Sequence, residues 1–144
     1  MVLPPPLSAA GCVFCDIVAG DVPAHVVASD DATVAFLDSR PVFPGHVLLV
    51  PRDHHETLTD LPPALVTPLF DAAQRLARAV EAGMDAHGTF VAMNNRVSQS
   101  VPHLHVHVVP RRFKDGLRGF FWPRQRYADD ADMAAVAERI RAAL

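Results

Sequence analysis

Little in this sequence tips the balance of charge. Its 144 residues sum to a formal −3 at pH 7, without the broad basic surplus by which duplex-binding proteins displace counterions, so nucleic acid is not an expected partner. Long apolar runs are missing as well. Pro, Asp, Arg and His interrupt every hydrophobic stretch before it reaches bilayer length, and no membrane association is expected. Cysteine is scarce: the two present, Cys12 and Cys15, stand too close together to staple a fold, which leaves metal binding, redox chemistry or no role. No internal repeat or low-complexity tract is evident. What the chain has in quantity is apolar side chain, half of all residues, enough for one well-buried core and too little length for two ordinary domains.

Residues 1–11 are rich in Pro and small side chains and predict a flexible N-terminal arm. Small residues precede Cys12 as in a lipoprotein signal, but there is no basic leading region and prolines fill the would-be apolar segment. A cytoplasmic protein is therefore expected. One domain spans 12–144. Cys12 to Ala19 predicts a short helix closed by Gly20, and strands at Ala24 to Ala28 and Ala32 to Leu37 flank the turn-prone Ser29-Asp30-Asp31. His46 to Pro51 is a compact aliphatic run suited to a central strand covered on both faces. Pro62-Pro63 opens the main helix, in which Leu69, Ala73, Leu76 and Val80 share one face up to Gly83. Pro68 inside it predicts a kinked first turn or a later start. Thr89 to Met93 and His103 to Pro110 predict two more strands, and Asp132 opens a final amphipathic helix carrying Met133, Val136, Ala137 and Ile140. The order predicts an α+β domain whose antiparallel sheet of about five strands is covered on one face by helices.

Within the last predicted strand, His103, His105 and His107 alternate with Leu104, Val106 and Val108. Alternation places three imidazoles on one side about 7 Å apart and three aliphatic residues on the other. Such a strand is either a rigid platform for chemistry, a pair of metal ligands with a neighbour, or a half-solvated polar face. The stretch Ser98-Gln99-Ser100-Val101-Pro102-His103-Leu104-His105-Val106-His107-Val108-Val109-Pro110-Arg111 resembles the signature of the histidine triad (HIT) hydrolases and transferases. Phe14-Cys15-Asp16-Ile17, Ala35-Phe36-Leu37-Asp38 and Pro44-Gly45-His46-Val47-Leu48-Leu49-Val50-Pro51 resemble the same family in the same order, so the likeness runs from about Cys12 to Arg112.

The resemblance implies a HIT-like fold, a two-fold dimer and a purine nucleotide substrate. It implies that His105 attacks the α-phosphorus through an uncharged nitrogen, giving a nucleotidyl-histidine that water hydrolyses. By the same likeness His107 contacts phosphate oxygens, while Ser100 and Gln99 donate to the phosphate or leaving group. Asp38 accepts from the ribose hydroxyls or caps its own loop. Phe14, Ile17 and Phe36 form an apolar slot for the base or belong to the core, and His46 orders the strand from behind or serves the core. Asn94 is carried over as a nucleotide contact, with Asn95 as the alternate register, although the loop Met93 to Gln99 is short and lacks the glycine often found in the family. Exposed Arg96, Arg111, Arg112 and Lys114 could bind further phosphates or simply be solvated.

For the cysteine pair, the Pro-rich segment before Cys12 disfavours a thioredoxin-like site. The zinc-bearing, Hint-like branch of the family implies a closed structural Zn2+ set of Cys12, Cys15, His54 and His103, with His55 as an alternative ligand. The aromatic segment from Gly116 to Tyr127 implies, by the same likeness, that Trp122 reaches across a homodimer. The implied activity is nucleoside 5'-phosphoramidase-like hydrolysis to the nucleoside monophosphate. The alternatives are a dinucleoside polyphosphate hydrolase or phosphorylase and a nucleotide-binding regulatory module with negligible turnover.

Overall fold

The computed structural model describes residues 3–118 and 124–144. In chain order the elements are α1 (Val13–Ala19), β1 (Val26–Ser29), β2 (Thr33–Leu37), β3 (Val47–Pro51), a 3-10 turn (Leu58–Asp60), α2 (Pro63–Gly83), β4 (Gly88–Ala92), β5 (Val106–Arg111) and α3 (Asp130–Ala143). The five strands form one sheet in the order β1-β2-β3-β5-β4, with every neighbouring pair antiparallel. The β1–β2 turn closes as expected around Asp30, whose Oδ1 accepts from the backbone N–H groups of Ala32 at 2.9 Å and Thr33 at 2.7 Å. No helix among the described residues is long and apolar enough to cross a membrane.

β3 is the centre of the sheet, and all five of its residues are buried. Val47 and Leu49 join Ala35, Val106 and Val108 beneath the apolar face of α2, made of Leu69, Ala72, Ala73, Leu76 and Val80. Leu48 and Val50 face the other way, with Val34 and Phe36, against Cys12, Phe14 and Cys15. The expectation that helices cover one face only is therefore corrected. A strand aliphatic on both faces leaves apolar surface on each, and seven-residue α1 covers the second. Gly20 ends α1 in the left-handed conformation, which costs glycine no Cβ clash.

Pro68 lies inside α2, which nevertheless starts at Pro63. The N–H it lacks would have paired with Ala64 in the exposed first turn, where solvent can serve that carbonyl. α3 begins at Asp130, two residues before the predicted opening, because Asp129 caps it by accepting from Asp132 N–H; none of its residues is buried. β5 begins at Val106 rather than His103. The preceding backbone is used elsewhere, His103 N–H donating to Val101 O at 2.8 Å and Leu104 N–H to His55 O at 2.7 Å. The alternation of faces survives: Leu104 lies in the α2-side core, whereas His103 and His105 pack against Phe14. At the N-terminal end, Leu7 N–H donates to Asp53 Oδ1 at 2.9 Å and Leu7 O accepts from His54 N–H at 2.7 Å.

Candidate active site and metal cluster

On the α1 side of the sheet, a cleft of about 600 Å³ is lined by Phe14, Ile17, Phe36, Asp38, Ser100, His105 and His107, joined by His25 and Arg40. Its walls are two elements and a loop: α1 supplies Phe14 and Ile17, β2 supplies Phe36, and the β2–β3 loop begins with Asp38. Phe14 and Phe36 meet edge to face, with centroids 5.4 Å apart. A comparably large groove of about 530 Å³ lies on the opposite face, between α2 and β1–β3. Its described lining includes Ser29, Asp30 and Thr33 but no histidine or cysteine.

Hydrogen-bond partners set the proton on each of the site's imidazoles, because a neutral ring has one donor and one acceptor nitrogen. His105 Nδ1 lies 2.7 Å from His103 O. A carbonyl only accepts, so Nδ1 carries the proton and Nε2 keeps a free lone pair. Val42 N–H donates to His46 Nδ1 at 3.1 Å, which makes His46 Nε2 the protonated atom, and that N–H donates to His107 Nδ1 at 2.9 Å. His107 is left with an N–H at Nε2. The site thus pairs one bare nitrogen on His105 with one donor on His107, their ring centroids 5.0 Å apart. The two rings stand closer than the roughly 7 Å that separates residues two apart along a strand, and His105 precedes β5. Burial, reinforced by His105 and His46, pushes His107 down to about 4, and burial also lowers His46. Both rings are neutral at pH 7.

Asp38 Oδ1 accepts from Arg40 N–H at 2.9 Å, and Oδ2 lies 3.7 Å from His46 Nδ1. Capping occupies one carboxylate oxygen, and the other lies on the His46 side. The loop returns through Gly45, whose φ is +95° and where an added Cβ would lie 2.6 Å from Met84 Cγ. Glycine is required there to bring His46 into line with His107.

The second constellation is the set Cys12, Cys15, His54 and His103, whose ligand atoms all lie within 4.8 Å of one another. His103 Nδ1 is 3.5 Å from both sulfurs, and His54 Nδ1 is 3.3 Å from Cys15 Sγ. A tetrahedral ion with bonds of about 2.3 Å to sulfur and about 2.0 Å to nitrogen has sulfur–nitrogen edges of roughly 3.5 Å. The donor set therefore fits a metal ion. His103 Nε2 lies 2.8 Å from Pro51 O, which fixes its proton there and turns Nδ1 toward the cysteines, as ligating histidines are usually held. Burial pushes His103 down to about 4. Burial also raises the Cys15 thiol, against which the Ala9 backbone hydrogen bond works. His55 stands outside the set, its Nε2 buried without a partner among the described residues.

Asn94 and Gln99 do not line the cleft. Gln99 Oε1 accepts from Arg96 N–H at 2.8 Å and its Nε2 donates to Glu56 O at 2.6 Å, so both ends of its amide hold the loop. Asn94 Nδ2 donates to Ser98 O at 3.2 Å, and Asn95 Oδ1 accepts from Leu58 N–H at 2.8 Å. Arg96 and Ser98 adopt positive φ of 70° and 60°, the conformations that the missing glycine would have supplied. Arg111 is paired with Asp115 at 2.6 Å. Trp122 lies outside the described residues. Sequence reasoning overlooked His25 and Arg40 as cleft residues and the Val42 N–H as the start of the proton order; only the loop's position between Asp38 and His46 hinted at them.

The HIT domain family model matches residues 19–114. An uncharacterised HIT-like protein of Mycobacterium tuberculosis is 38% identical over 92% of this chain and 92% of its own length. An adenosine 5'-monophosphoramidase of Saccharomyces cerevisiae is 32% identical, over 81% of this chain and 72% of its own length. Among solved structures, a HIT family member from Bacillus subtilis superposes with a TM-score of 0.85 at 32% identity, covering 93% of this chain and 97% of that one. A Zn-bound histidine triad family protein from Mycobacterium smegmatis has a TM-score of 0.71 at 39% identity, with coverage of 92% and 97%. With its alternating histidines leading into the β5 strand of a five-stranded antiparallel sheet and these relatives along most of its length, the chain belongs to the HIT family.

Proposed function

We propose that this chain is a nucleotide hydrolase in which His105 Nε2 attacks the α-phosphorus of a purine nucleoside phosphoramidate. The observation that carries the reading is the bond from His105 Nδ1 to His103 O, which leaves the opposite nitrogen unprotonated. In the first step its lone pair forms an N–P bond while the P–N bond to the leaving amine breaks; the amine takes its proton from solvent, and Ser100 Oγ donates a hydrogen bond to the phosphate or the leaving group. Water then attacks phosphorus, losing its proton to solvent as the P–O bond forms, while the N–P bond breaks and its electron pair returns to His105 Nε2, releasing the nucleoside monophosphate. Covalent catalysis of this kind divides one hard displacement into two easier ones. His107 Nε2–H stabilises charge growing on the phosphoryl oxygens, and Asp38 accepts from the ribose. Phe14, Ile17 and Phe36 hold the base. Asn94 and Gln99 act by shaping the phosphate-side loop. The adenosine 5'-monophosphoramidase from yeast favours the phosphoramidate reading over a dinucleoside polyphosphate.

The metal in this reading is Zn2+, held by Cys12, Cys15, His54 and His103. Two thiolates with two imidazoles suit zinc, and the Mycobacterium smegmatis relative is Zn-bound. When bound, the ion supplies a closed cross-link between α1, the β3 end and the histidine run, and takes no part in phosphoryl transfer. Free thiolates in a metal site fit a reducing cytoplasm.

Intact-protein mass after brief incubation with an adenosine phosphoramidate, or with a diadenosine polyphosphate, tests the reading. Wild type should gain one nucleotidyl group, faster from the phosphoramidate, and His105→Ala should gain none. Protein that binds either compound without adduct or product is a nucleotide-binding module instead.

A further inference from the structure

The nucleophile of the proposed reaction and the metal cluster share a neighbour. Phe14 sits between Cys12 and Cys15 in sequence, and its ring meets His105 edge to face, with centroids 5.1 Å apart and planes at 84°. The same ring lies 6.0 Å from His103 and 5.4 Å from Phe36. It is buried, as are His103 and His105.

Phe14 packs with Val34, Phe36, Leu48 and Val50 and is bracketed in sequence by the two cysteines of the cluster. α1 has seven residues, too few to persist on helix propensity alone. Its first turn is tied down through the two sulfurs: Cys12 Sγ accepts from Cys15 N–H at 3.4 Å, and both sulfurs approach His103 Nδ1. The His105 ring is met by the His107 ring, by the carbonyl of His103, itself a cluster residue, and by Phe14, carried between the two cysteines. Edge-to-face packing is directional, so a displaced α1 would loosen the ring's orientation as well as uncover apolar surface.

We infer that Phe14 is a positioning residue that passes the order of the metal cluster to the imidazole of His105. The inference rests on the proposed roles of His105 and of the metal. Loading the cluster seats α1, α1 seats Phe14, and Phe14 with the His103 carbonyl confines the His105 ring so that Nε2 points into the cleft. A metal outside the reaction path thereby controls its rate.

The test follows the His105 ring directly. In zinc-loaded protein, the His105 Cε1–H resonance should be sharp and shifted by the Phe14 ring current. Stripping zinc with a chelator should broaden it and remove the shift. Zinc-loaded Phe14→Leu should already lack that shift, and stripping this variant should change the signal far less than in wild type. Val34→Ala trims the same apolar cluster without touching His105 and should keep the zinc response. Nucleotidyl-adduct formation should slow about tenfold or more on stripping wild type, and the losses from stripping and from Phe14→Leu should not multiply. A His105 signal indifferent to zinc, or a Phe14→Leu signal that responds as wild type does, overturns the inference. That failure is separable from failure of the catalytic reading, in which zinc-loaded wild type forms no adduct at all.

Discussion

His46 Nε2 lies 2.9 Å from His107 Nδ1, and the proton between them belongs to His46. Val42 N–H already fills His46 Nδ1, so a single backbone amide determines which nitrogen of His107 faces the cleft as a donor. Removing His46 would free His107 to exchange tautomers. His46→Ala is expected to lower kcat by roughly 5- to 150-fold, the equivalent of about 1–3 kcal/mol for a buried group stripped of its partner. KM should change little. Steady-state kinetics on a phosphoramidate checks this, and an unchanged kcat would remove the proton order from the mechanism.

Acid should weaken the fold through the same ring. His107 titrates near 4 in the folded chain against an ordinary 6.5, so between those values the unfolded chain binds the additional proton. The stability contributed by the neutral ring is complete above about pH 6.5 and is lost as pH falls toward about 4. The urea midpoint of wild type should drop between pH 7 and pH 5, and His107→Gln should drop less. Equal drops would show that His107 does not contribute to the loss.

Gly45→Ala meets two obstacles: a φ of +95° and a Cβ position 2.6 Å from Met84 Cγ. A loss of about 1–3 kcal/mol is expected from the backbone conformation. Since the next residue is His46, kcat should fall with stability. Pairing Gly45→Ala with Met84→Ala should relieve the contact and leave only the backbone cost, which denaturation of the single and double variants can separate.

Among the described residues, the edge strand β4 is unpaired on one side. Val91, on that strand, is 45% exposed, and Phe70 on α2 is 46% exposed. We propose that this edge and the adjoining surface of α2 form the two-fold contact of a homodimer. Val91→Asp should shift the light-scattering mass from two chains to one. Wild type that already scatters as one chain would end the proposal.

Most elements were legible because their apolar spacing matched the surface they had to bury. β3 reads as doubly covered in His46 to Pro51, and α2 in the recurrence of Leu69, Ala73, Leu76 and Val80. The four members of the metal cluster could be named, although only folding brings His54 and His103 to Cys12 and Cys15. The role of His46 was not legible in the same way, since its proton follows from a backbone amide four residues away whose direction no side-chain pattern encodes. Nor could the sequence foretell that Gln99 would hold its own loop, a choice set by the left-handed backbone at Arg96 and Ser98. The start of β5 was misplaced for a similar reason: Leu104 N–H is claimed by His55 O, a long-range competitor that alternation cannot reveal.

β3 has one kind of chemistry at each end. His46 immediately precedes it, and Pro51 O, at its last residue, orients His103. Five strand residues set that separation at about 17 Å. Adding or removing one would turn Leu48 and Val50 toward the wrong core and uncouple the two ends. Side-chain exchange that keeps volume leaves both in step. The strand therefore acts as a gauge of fixed length: relatives should differ along it by substitution, with insertions and deletions confined to the loops on either side.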